Sequence, residues 1–274
     1  MGWNIRLKIG LAILLFFVVL AFGVSWLAPV DPSAQGSYLP YLPVSADHLL
    51  GTNALGQDIF WFLTESVRNS MILGLTVAAC TTLISLAVGL VAGYRGGKTD
   101  RFIMLLNDSF IVIPTFPILI VLSSLVRGRA GFPAIVAILI AFGWAWNGRT
   151  IRSVALSVRE REFINMARFS GCRTARIVVQ EIFPYVYAYT VVGFINSILY
   201  AINIEAALAI IGLSDVETPT LGSAVYWPNT YSAIMTGNYV WIGAPVVAIS
   251  LLFLGLFLTS TGYNQYFAER RGHS

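Results

Sequence analysis

Two carboxylates, Asp108 and Glu205, lie inside long apolar runs of the sequence. A charged side chain at the centre of a bilayer costs at least about 2.5 kcal/mol on insertion scales, so each acid needs a function or a partner. One chemistry open to the two acids is a proton relay. At 1.5 Å per residue, however, they lie about 12 Å apart in depth within a core of roughly 30 Å. We therefore expect structural roles, with Asp108 bonding near a kink at Pro114 and Glu205 bonding to backbone or to a neighbouring subunit near an outer gate.

The sequence offers no other arrangement suited to catalysis. Its two histidines and two cysteines are scattered, and no cluster of Cys, His or carboxylates has the spacing of a metal site. The phosphate-binding, nucleophile-elbow and zinc-protease motifs are absent from the sequence. We therefore predict no catalytic residue, no metal and no cofactor. A membrane enzyme that uses Asp108, Glu205 or an external His48 remains an alternative, as does a passive channel.

Composition indicates a polytopic membrane protein. The chain of 274 residues is 57% hydrophobic and 11% charged, with a mean hydropathy of +0.76, whereas soluble domains are about 25% charged. The net charge of +4 could favour nucleic acid. Because the arginines cluster in short loops between apolar runs, the charge instead fits membrane orientation, and we exclude nucleic-acid binding.

Apolar runs predict an all-α membrane protein with six transmembrane helices in one domain covering residues 1–274. Six spans with both termini in the cytoplasm leave only Arg68, Arg127 and Arg129 of the 17 basic residues outside, as the positive-inside rule requires. Gly89 and Gly93 would let a neighbouring helix approach the second span closely. The predicted spans are about 9–28, 71–94, 102–125, 132–156, 185–211 and 239–260, with an external segment at 29–68 and a cytoplasmic segment at 157–184.

The segment from Glu160 to Pro184 is the only long polar segment between apolar runs that is rich in arginine. Its apolar residues recur at helical spacing, which predicts two short amphipathic helices broken at Gly171, where glycine can adopt positive φ without strain. Span four is apolar for only 15 residues, so we expect it to continue through Arg149 and Arg152, whose long stems reach the interface, into this segment. The segment is either a docking surface or an ordinary basic loop.

Three stretches resemble the permeases of ABC importers. Glu162, Ala167, Gly171 and the later Ile182 and Pro184 are similar to the EAA loop of that family, although Met166 stands where its first Ala is expected. The other two stretches are residues 48–58, HLLGTNALGQD, and residues 205–213, EAALAIIGL, which resemble the dipeptide, oligopeptide and nickel branch, in the subunit labelled C. The first departs from that branch at Leu49, Asn53 and Gln57, which puts an ion pair there in doubt, and the second has Ala209 in place of Ser.

The resemblance implies a type I importer permease in a prokaryotic inner membrane that carries peptides, oligosaccharides or nickel. Its partners would be a second homologous permease, two cytoplasmic ATPases that hydrolyse ATP, an external solute-binding protein and the lipid bilayer. ATPase closure would push on the EAA loop and tilt spans four and five, a two-state mechanism. The coupling residues it implies are Glu162, Phe163, Met166, Ala167, Arg168, Gly171 and Arg173. Candidates for the pathway or gate, on the less apolar faces of spans three to five, are Asp108, Pro114, Asn196, Asn203 and Glu205.

Overall fold

The computed structural model describes residues 4–126 and 131–271, and helices account for most of them. No sheet forms within these ranges, where a single β-bridge joins Thr52 to Asp58. In a bilayer core every backbone group needs a partner, and an apolar helix supplies all of them internally. The helices are α1 (Ile5–Val19), α2 (Ile59–Arg95), α3 (Gly97–Val112), α4 (Thr115–Val126), α5 (Gly131–Gly143), α6 (Ala145–Arg159), α7 (Glu162–Phe169), α8 (Thr174–Arg176), α9 (Phe183–Ile210), α10 (Leu221–Thr230) and α11 (Tyr239–Arg271).

Five helical stretches are long and apolar enough to cross a membrane, and a sixth is a bent pair. The bent pair is α3 and α4, which meet at 79°. Ile113 is extended there (φ −62°, ψ 124°), because the residue before a proline is disfavoured in the helical region, and Pro114 cannot donate a backbone hydrogen bond. The third predicted span is therefore broken rather than one helix.

Several helix bounds differ from the sequence prediction. The first helical stretch begins at Ile5 and continues through a π-helical turn, Leu20–Val24, and a 3₁₀ turn, Ser25–Leu27. α2 is one helix of 37 residues instead of an interfacial helix followed by a span. Its start is fixed by Asp58, whose carboxylate accepts from the amides of Phe60 and Trp61.

The later helices also extend beyond the predicted membrane spans. The fifth begins inside the basic segment, because α8, a π-helical turn at Ile177–Ile182 and α9 form one continuous helical stretch, Thr174–Ile210. The sixth runs past residue 260 to Glu269. Hydropathy could not find these ends, because a helix that leaves the bilayer keeps its backbone bonds while its side chains become polar.

The two ends of the bundle are joined by α2, which is about 55 Å long at 1.5 Å per residue. At its C-terminal end, which we call the hairpin end, residues 94–100 adjoin residues 159–183: the Arg168 guanidinium lies 5.1 Å from the Tyr94 ring. At the other end, which we call the loop end, residues 28–58 and 211–238 pack together, and Asn69 donates to the carbonyl of Pro219 at 2.8 Å.

At the loop end, an amide pair stands where the sequence put an ion pair in doubt. Asn53 and Gln57 are both buried and form an amide pair, Nδ2 to Oε1 at 2.9 Å, and the Gln57 backbone amide donates to Asn53 Oδ1 at 3.0 Å. Gln57 Nε2 also donates to the carbonyl of Ser33 at 2.8 Å. A neutral hydrogen-bonded pair thus closes this turn where the family's acid and base would stand.

α2 and α6 pack closely through glycine, as the sequence predicts. A Cβ atom at Gly93 would lie 2.7 Å from Ala155 Cβ and 2.8 Å from the carbonyl oxygen of Arg152, and one at Gly89 would lie 2.8 Å from the carbonyl oxygen of Gly148. Ordinary contacts of a Cβ atom are 3.4–4 Å. The two backbones can approach this far only because neither glycine carries a side chain.

Much of the spans' surface is left for lipid or another subunit. Within the chain, between 22% and 44% of the residues in the most apolar part of each of the five unbroken spans are buried. The buried residues form separate clusters, one at α1, α2 and α11 around Phe17 and Leu252, and one at α2, α5 and α9 around Leu73 and Leu139. A third, around Ile151 and Ile164, fills the hairpin end.

Candidate functional site

The predicted EAA segment folds at the hairpin end, and its first half is the amphipathic helix α7. Ile164 is fully buried, and Phe163 and Ala167 are half-buried against the same cluster. That cluster is built by Ile151, Ala155 and Val158 of α6, Ile177 and Ile182 of the π-helical turn and Val186 of α9. The inner face of α7 is therefore packed on spans four and five together.

Gly171 ends α7 with the turn that the sequence predicted. Its φ is +76°, and its amide donates to the carbonyl of Arg168 at 3.0 Å while that of Cys172 donates to Ala167 at 3.1 Å. These are the two bonds of a Schellman motif, which satisfies carbonyls at a helix end and favours glycine at the left-handed position. The second predicted amphipathic helix is not separate, since α8 leads without a loop into span five.

The outer face of α7 presents apolar side chains that none of the described residues covers. Met166 is 69% exposed and Phe169 is 91% exposed. Glu162, Arg168 and Arg173 are exposed around them. A helix of eight residues with apolar side chains on two faces can pack on its own spans and still offer a second contact surface.

Two ion pairs connect α3 to α6, and neither was predicted from the sequence. Arg149 Nη2 lies 2.6 Å from Asp108 Oδ1, and Arg152 binds Asp100 with two bonds, at 2.9 and 2.5 Å. Asp108 therefore bonds to α6 and not to groups beside Pro114, which corrects our expectation. Arg149 and Arg152 reach carboxylates of α3 instead of serving as free interfacial charges. The available signal was Asp108 inside the predicted third span, Asp100 two residues before that span, and two arginines in the predicted fourth span.

A cavity of about 310 Å³ opens between spans three, four and five. It lies beside the break in span three, since Thr115 begins α4 just after Pro114. On span four it is lined by Gly143 and Ala145, on either side of Trp144, where α5 and α6 join in one helical stretch, Phe132–Arg159. The intervening Trp144 carbonyl accepts from the hydroxyl of Ser85 at 2.7 Å. The lining consists of Phe110, Thr115, Phe142, Gly143, Ala145, Trp146, Asn147, Asn196, Ser197 and Tyr200.

The predicted pathway or gate residues do not come together at one site. Asn196 lines the cavity and accepts from the hydroxyl of Ser260 at 2.8 Å, whereas Asn203 is exposed further along α9. Pro114 makes the break in span three, and Asp108 lies on α3 in its ion pair with α6.

Glu205 is fully buried near the loop end, two residues beyond Asn203 along α9. Its Oε1 accepts from the hydroxyls of Ser214 at 3.1 Å and Thr220 at 2.9 Å. Its Oε2 has no hydrogen-bond partner in the described chain and faces Gly222, on which a Cβ atom would lie 3.1 Å away. These partners within the chain are side chains of the connection to α10, not the backbone groups that we expected.

Comparison with known proteins agrees with this architecture. A family model described as binding-protein-dependent transport system inner membrane component matches residues 85–273. The chain is 33% identical over 215 residues to the oligopeptide transport system permease protein OppC of Mycobacterium tuberculosis, a match that covers 77% of this chain and 74% of that one. It is 29% identical over 242 residues to the dipeptide transport system permease protein DppC of Bacillus subtilis, covering 88% and 75%.

A further relative and a solved structure extend the comparison. The nickel transport system permease protein NikC of Escherichia coli is 36% identical over 183 residues, 66% of this chain and 64% of that one. A chain of the MetNI methionine ABC transporter, solved in inward-facing conformations, superposes with a TM-score of 0.55 at 18% identity and covers 74% of this chain and 96% of that one. That superposition supports the fold.

Proposed function

Because the chain belongs to the family of binding-protein-dependent transport system inner membrane components, we propose that it is one of two permease subunits in an importer driven by two cytoplasmic ATPases. An external solute-binding protein would deliver peptides or similar oligomeric solutes, with oligosaccharides or nickel as alternatives. The chain itself would carry no catalytic group. In this assignment the hairpin end faces the cytoplasm and the loop end faces outward, as the distribution of basic residues favours.

The observation that supports ATPase docking best is the outer face of α7. Met166 and Phe169 are exposed apolar side chains at the end of a polytopic protein, outside its apolar spans. Solvent-exposed apolar patches of this kind mark protein contacts. Exposed Glu162, Arg168 and Arg173 beside them can supply the polar rim that such interfaces have.

The inner face of α7 explains how a displacement of α7 would reach the cavity between spans three, four and five. Ile164 packs on residues of α6 and of α9, so a displacement of α7 acts on both spans at once. Because Thr174–Ile210 is one helical stretch, no flexible loop intervenes between the turn at Gly171 and the cavity residues of α9. Closely packed cores transmit displacements as rigid bodies, and ATPase closure would thus tilt spans four and five.

Co-purification of the ATPase with a Phe169→Glu variant tests the proposal. A buried charge at the contact would weaken it strongly, so we expect most of the ATPase to be lost while the permease keeps its melting temperature, because Phe169 is 91% exposed. Met235→Glu is the matched control: Met235 is also 91% exposed but lies at the loop end, and its ATPase should be retained.

Equal ATPase retention by the two variants would refute docking at α7. A permease that transports solute with no nucleotide-hydrolysing subunit would refute the function itself. It would favour a passive channel instead, and a membrane enzyme would likewise need no stoichiometric ATPase.

A further inference from the structure

We propose that the cavity between spans three, four and five is a contact site for an uncharged, hydrogen-bonding stretch of an organic solute, and that it is not a site for a bare divalent cation. The shared chemistry is that of peptide amides and sugar hydroxyls. The inference rests on the proposed function and specifies its substrate class.

The lining supplies no group that a transition-metal ion prefers. It contains no acid, base, histidine, cysteine or methionine, and within residues 4–126 and 131–271 no three His, Cys, Asp or Glu side chains come together around a possible ion. Nickel in proteins is bound by imidazole, thiolate or carboxylate donors. The lining of this cavity therefore lacks the ligands that a nickel ion would require.

The lining does supply neutral donors and acceptors. The NH₂ group of Asn147 donates to the Gly193 carbonyl at 3.2 Å and to Ser197 Oγ at 3.0 Å, which leaves its carbonyl oxygen as an acceptor. The carbonyl oxygen of Asn196 is used by Ser260, which leaves its NH₂ group as a donor. The hydroxyl of Tyr200 is shielded from solvent and has no partner among the described residues.

This set matches a peptide group or a sugar hydroxyl, each of which both donates and accepts. Aromatic rings of Phe110 and Trp146 line the same cavity and provide apolar surface between the polar groups. A volume of about 310 Å³ is at the small end of ligand pockets, which is suitable for one or two residues of an oligomer.

The break in span three supports the same assignment. Irregular backbone at membrane depth is tolerated where it is buried in protein or lines a cavity, and transporters place their substrate sites at interrupted helices. Here the break at Pro114 is adjacent to the cavity, which the next residue, Thr115, lines. The interruption of span three thus lies where the neutral polar side chains converge.

The experiment measures ATP-dependent uptake by the complete assembly, reconstituted in proteoliposomes, with labelled trialanine, maltotriose and Ni²⁺ as separate probes. Tyr200→Phe removes one hydroxyl, and Asn196→Ala removes the amide. Loss of one neutral hydrogen bond corresponds to a roughly threefold to tenfold rise in KM. We expect that rise for whichever organic probe is imported, with a smaller effect on the maximal rate.

Tyr187→Phe is the matched control, since Tyr187 lies on the same helix, is half-exposed and does not line the cavity. It should leave KM unchanged. The inference is overturned if Tyr200→Phe and Asn196→Ala leave KM unchanged, or lower the maximal rate and the ATPase rate together as a structural defect would. It is also overturned, with the proposed function intact, if Ni²⁺ alone is imported. Absence of nucleotide-dependent uptake for all three probes counts against both.

Discussion

Replacing Gly93 with alanine should push α6 away from α2. The new Cβ atom would lie 2.8 Å from the Arg152 carbonyl oxygen and 2.7 Å from Ala155 Cβ, whereas ordinary contacts begin at 3.4 Å. The carbonyl belongs to a helix backbone and cannot rotate away, so α6 must retreat by about 0.6 Å or more. Overpacking of this kind costs about 1–3 kcal/mol.

Gly243→Ala provides the reference for that prediction. Gly243 lies in α11 and a Cβ atom there would meet nothing within 4 Å. Alanine is favoured over glycine in a helix by about 0.5–1 kcal/mol, and both variants gain this amount. The difference between the two therefore isolates the overpacking at α6.

Thermal unfolding of the purified permease in detergent gives the comparison. Gly93→Ala should melt below Gly243→Ala, and Gly89→Ala should do so too because its Cβ atom would lie 2.8 Å from the Gly148 carbonyl. If Gly93→Ala proved as stable as Gly243→Ala, the close approach of α2 and α6 would be wrong.

Two further predictions concern polar pairs. Arg152→Ala should destabilise the permease by about 3–5 kcal/mol, because it leaves the buried Asp100 unpaired. Arg149→Ala breaks a half-exposed pair and should cost only about 0–1 kcal/mol. Equal losses of unfolding free energy for the two variants, measured by chemical unfolding, would contradict this ranking. Asn53→Asp and Gln57→Arg should each lower the melting temperature, because each buries an unpaired charge. The double variant should recover much of that loss, since the two side chains are in contact. If the loss in melting temperature of the double variant equalled the sum of the two single losses, the pairing would be refuted.

Local features of the fold were predictable from sequence because they depend on neighbouring residues. The αL turn at Gly171 and the close packing at Gly89 and Gly93 follow from what glycine alone permits, and both were predicted. The break at Pro114 follows from proline as well, although its 79° angle depends on how α4 packs.

Features that join distant residues were missed or only partly anticipated. The pairing of Asp108 with Arg149 requires knowing that α3 and α6 are adjacent, which hydropathy does not reveal. The cavity depends on how spans three, four and five pack around the break at Pro114, and hydropathy does not reveal that packing either. The outer apolar face of α7 was partly visible, since Met166 departs from the family's alanine, but exposure is a property of the packed chain.

The proposed function is tested most directly by measuring from which side of the membrane the cavity can be reached. In a variant with Cys80→Ala and Cys172→Ser, a thiol introduced by Thr115→Cys would be labelled with a membrane-impermeant reagent in the assembled, reconstituted importer. The account predicts that trapping ATP on the partner subunits switches the labelled side, and that Phe169→Glu abolishes the switch. Labelling from the same side with and without nucleotide would contradict it.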